Sequence, residues 1–72
     1  MEIFEVEQKE QLRREEVAAR LRILADMLER QNDIEFERGG MRFTVKVPDV
    51  VQLKIELEIG SDERELEIEL TW

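Results

Sequence analysis

Apolar and polar residues change period twice along this chain. Phe4 and Val6 alternate with Glu5 and Glu7, the two-residue period of a short half-buried strand. Val17, Leu21, Leu24 and Leu28 then recur at helical spacing, with Ala18 and Ala25 beside them, in an Arg-, Glu-, Leu- and Ala-rich stretch without Gly or Pro. The pattern predicts a helix over about residues 12 to 31. Glu15 and Glu16 near its start and Arg30 near its end match the helix dipole, and Asn32 is the expected stop.

Alternation returns in four further segments: Ile34 and Phe36; Met41, Phe43, Val45 and Val47; Val51, Leu53, Ile55, Leu57 and Ile59; Leu66, Ile68, Leu70 and Trp72. Gly39-Gly40, Pro48-Asp49 and Gly60-Ser61-Asp62-Glu63 separate them, each with the chemistry of a turn. The order of elements is therefore β-α-β-β-β-β. It predicts an α+β domain filling residues 1–72, one helix packed on a mainly antiparallel sheet of four to five strands.

Register can be derived because side chains alternate faces, so apolar must meet apolar on both sides of each turn. A two-residue turn at Gly39-Gly40 sets Phe36 against Phe43 and Ile34 against Val45, with Glu37 facing Arg42 and Asp33 facing Lys46 outside. A three-residue connection of Pro48, Asp49 and Val50 would pair Val45 with Leu53 and Phe43 with Ile55, bringing Arg42 to Glu56. A turn centred between Ser61 and Asp62 pairs Leu57 with Leu66, Ile55 with Ile68, Leu53 with Leu70 and Val51 with Trp72. That register also sets Glu56 against Glu67 and Glu58 against Glu65, like-charge pairs that work against the hairpin. The first strand is left open, parallel to the second through the helix or antiparallel to the last.

At 72 residues the core must be thin, since a chain this short buries only about 60% of its unfolded surface. Without Cys no disulfide can staple it, so self-association is an expected route to stability. The net charge of −8, from 19 acidic against 11 basic residues, disfavours nucleic acid and anionic membrane and suits a basic protein partner. No run approaches the ~20 apolar residues of a membrane span, and MEIFEVEQKE has no leader character, which predicts a cytoplasmic protein.

The segment VPDVVQLKIELEIGSDERELEIELTW, following an Arg- and Ala-rich helix, resembles the amphi-Trp domain family, small prokaryotic proteins named for an amphipathic acidic C-terminal strand ending in Trp. The likeness runs over essentially the whole chain. Gln11, Leu12 and Arg13 depart from it where a Ser or Thr cap would open the helix. The resemblance implies the fold; it implies no reaction, cofactor or catalytic residue.

The chain has no His, Cys or Tyr, and its only hydroxyls are Thr44, Ser61 and Thr71, so nucleophile-histidine and histidine-metal constellations are closed to a single chain. The expectation is a non-enzymatic protein-interaction or structural module that needs no cofactor and forms a homodimer. Three side chains are candidate partner contacts. Trp72 shares parity with Leu66, Ile68 and Leu70, which points it inward to close the core, though a corner Trp also suits a partner. Ile23 and Met27, with Ala19, fall on the helix side away from the main stripe. The alternative is a cation- or small-ligand-binding domain, using a pocket beside Trp72 or the carboxylate face of Glu56, Glu58, Glu65, Glu67 and Glu69. A flat, solvated row of carboxylates lacks the convergent oxygens that Ca²⁺ selects. One helix about 10 Å wide cannot cover four or five strands, so apolar sheet surface is expected to be left over.

Overall fold

A computed structural model describes Glu5 and residues 7–72. Phe4 and Val6, the expected first strand, lie outside the described residues. The elements are a helix α1 (Arg14–Asp26), a π-helical turn (Met27–Gln31), and strands β1 (Asp33–Arg38), β2 (Met41–Lys46), β3 (Gln52–Ile59) and β4 (Arg64–Thr71). One helix and four antiparallel strands make the described chain α+β.

The helix starts without a side-chain cap. Arg13 holds the N-cap position in extended backbone, and its carbonyl accepts from the amides of Glu16 and Val17 at 3.0 and 3.1 Å. Glu15 and Glu16 lie in the first turn, where the free amides favour negative charge. The expected helix spans α1 and the π turn together, but from Met27 on the backbone widens. Asn32 then ends it in the left-handed region at φ 57°, a conformation Asn tolerates better than most residues.

Both hairpins adopt the register that side-chain parity dictates. In the first, Gly39 and Gly40 take φ of 60° and 78°, the positive values of a type I′ turn, and Phe36 pairs with Phe43, Ile34 with Val45 and Glu37 with Arg42. The Val47 amide donates to the Asn32 carbonyl at 2.9 Å, tying the end of β2 to the end of the helix. In the second, Gly60 to Glu63 form the turn, closed by the Gly60 amide donating to the Glu63 carbonyl at 2.8 Å. Ile55 pairs with Ile68, Leu57 with Leu66 and Leu53 with Leu70.

The single sheet is where expectation and structure part. The strands form two separate two-stranded ladders, β1 with β2 and β3 with β4, and the expected pairing of Val45 with Leu53 and Phe43 with Ile55 is not among them. Residues 47–51 separate the ladders, and within them Pro48 has no amide to donate and a fixed φ, so pairing stops there. Helix width supplies a second reason. At about 10 Å across, α1 covers about two strands, and it lies against the first hairpin, where Leu24 and Phe36 share a recess with Val17 and Leu21.

The result is an open molecule. Among the described residues no side chain is buried. The radius of gyration is 14.1 Å, against about 11 Å for a compact chain of this length.

Candidate functional site

The second hairpin has one face that is aliphatic except beside its turn. Leu53, Ile55, Leu57 and Ile59 on β3 share parity with Leu66, Ile68 and Leu70 on β4, and all but the half-buried Leu70 are exposed, by between 46% for Ile68 and 68% for Ile59. The helix stripe and first hairpin are covered in part: Leu24, Leu28, Ile34, Phe36 and Phe43 are half-buried, while Val17, Leu21, Met41 and Val45 are exposed. Along the ladder the one charged residue on this face is Arg64, opposite Ile59 beside the turn. It extends along two strands of eight residues each.

The opposite face of the same hairpin carries the acidic residues. Glu56 opposes Glu67, Glu58 opposes Glu65 and Glu69 opposes Lys54, all exposed. Lys54 Nζ reaches along its own strand to Glu56 Oε2 at 3.1 Å, so one of the five carboxylates already has a cation beside it. Among the described residues no group of three or more acidic side chains is arranged to hold a metal ion. Glu58 and Glu65 do line a shallow recess with Gly60 and Glu63 at the turn.

Trp72 does not close a core. Its side chain belongs to a residue 55% exposed, one position beyond β4, and it lines a recess with Val50, Val51, Gln52 and Thr71. The ladder ends at the pair Gln52 and Thr71, so Val51 and Trp72 are neighbours across the recess and not a strand pair. The inward position that parity predicts would close a core only under a second layer, and no helix residue lines this recess. Ile23 is 57% exposed and Met27 half-buried, and the two line a recess with Leu24, Ile34 and Phe36 beside β1. The structure thus separates the candidates, with Ile23 and Met27 by the first hairpin and Trp72 and the carboxylates on the second.

A contact that the sequence gave no sign of holds the segment before the helix. Glu10 accepts two hydrogen bonds from the Arg20 guanidinium, at 2.9 and 3.0 Å, and a further one from the Gln8 amide. The Arg20 bonds, then that of Gln8, hold the Glu10 carboxyl below the usual carboxylate range, and Arg20 is correspondingly raised, chiefly by its hydrogen bonds to Glu10. The Arg38 guanidinium donates to the Glu7 carbonyl, joining the same segment to the end of β1. No helix among the described residues is long and apolar enough to cross a membrane.

The family model described as Amphi-Trp domain matches residues 1–72. No curated protein and no solved structure matches the chain.

Proposed function

We propose, from the premise that this chain belongs to the Amphi-Trp domain family, that it is a non-enzymatic protein-interaction module that associates with itself and presents an acidic outer face to a basic protein. The observation that carries this reading is the aliphatic face of β3 and β4, exposed while no side chain among the described residues is buried. Apolar surface left in water at this scale marks an interaction surface in a soluble protein. An isolated two-stranded hairpin is marginal in water, so this one gains most from being covered.

The absence of His, Cys and Tyr supports the non-enzymatic half, because a general base or nucleophile would have to be drawn from exposed carboxylates and three hydroxyls. The cytoplasmic location expected from the sequence belongs to the same proposal. Cation binding has less behind it: the carboxylates run along a ladder instead of converging, and Lys54 sits beside Glu56.

Sedimentation equilibrium from micromolar to about millimolar concentration, the weak end of specific association, tests the reading. A mass rising from 8.6 kDa toward twice that value is expected. A chain that stays at the monomer mass throughout overturns it.

A further inference from the structure

We draw no further inference here: the strongest candidate, the exposed aliphatic face of the second hairpin, carries nothing beyond the reading above because nothing in the structure shows what covers it.

Discussion

The two hairpins are built by the same rules and end in different environments. β1 and β2 have six residues each, joined by two glycines, and the helix lies against them, so Ile34, Phe36 and Phe43 are half-buried. Their outward charges are matched, with Arg42 Nη2 3.7 Å from Glu37 Oε2. β3 and β4 have eight residues each and cleaner alternation, yet their aliphatic face is exposed and two of their outward pairs are Glu against Glu. Length and pattern make a hairpin, but burial requires a second layer. The first hairpin obtains that layer from its own chain; the second must obtain it elsewhere.

The comparison can be broken first at its two aromatic and aliphatic centres. Phe36→Ala should cost about 2 kcal/mol, below the 3–5 of a fully buried Phe because Phe36 is only half covered. Ile68→Ala should cost less than about 0.5 kcal/mol in dilute solution, where its face is in water, and several times more at concentrations that favour the dimer. Urea denaturation at two protein concentrations measures both. A concentration-independent loss at Ile68 as large as that at Phe36 would mean the second hairpin is covered within its own chain.

Turn chemistry gives the next effects. Gly40→Ala forces a side chain to φ 78° and should cost about 1–2 kcal/mol, although nothing lies within 4 Å of the added carbon. Asn32→Ala, at φ 57°, should cost about 1 kcal/mol by the same strain where the helix meets β1. Thermal melts report both, and the loss should appear in the first hairpin and helix.

Charge gives the smallest. Glu67→Lys turns the pair with Glu56 into one of opposite sign and should stabilise the second hairpin by a few tenths of a kcal/mol, an effect that fades in high salt. Glu10 tests whether the segment before the helix belongs with the first hairpin. Its folded value is depressed by Arg20, so its contribution is present above the ordinary carboxylate range and is lost as pH falls through the lowered value. The pair is exposed and its effect on stability small, so the measurement is the NMR titration of the Glu10 carboxyl, expected to return to the ordinary range in Arg20→Gln.

The four described strands, the turns of the two hairpins and both hairpin registers were legible in the sequence because each rests on local chemistry; the turn expected at Pro48-Asp49-Val50 was not formed. A Gly pair allows positive φ, and the two-residue period leaves one parity that matches Phe36 to Phe43 and Ile55 to Ile68. The helix stop at Asn32 was legible for the same reason; the widening from Met27 was not, since no residue in that turn announces it. The bond between Glu10 and Arg20 was equally hidden, ten residues apart across the uncapped start of the helix.

By itself the sequence determined one helix, four alternating strands in two hairpins of fixed register, a chain without the usual catalytic side chains, and family membership. Only the tertiary structure decided that the helix sits on the first hairpin, that β2 and β3 stay unpaired, and that Trp72 and the second hairpin's aliphatic face remain in water. These are outcomes of competition for one helix face of limited width. A period-two pattern tells which side of a strand is apolar, but it carries no information about which element arrives to cover it.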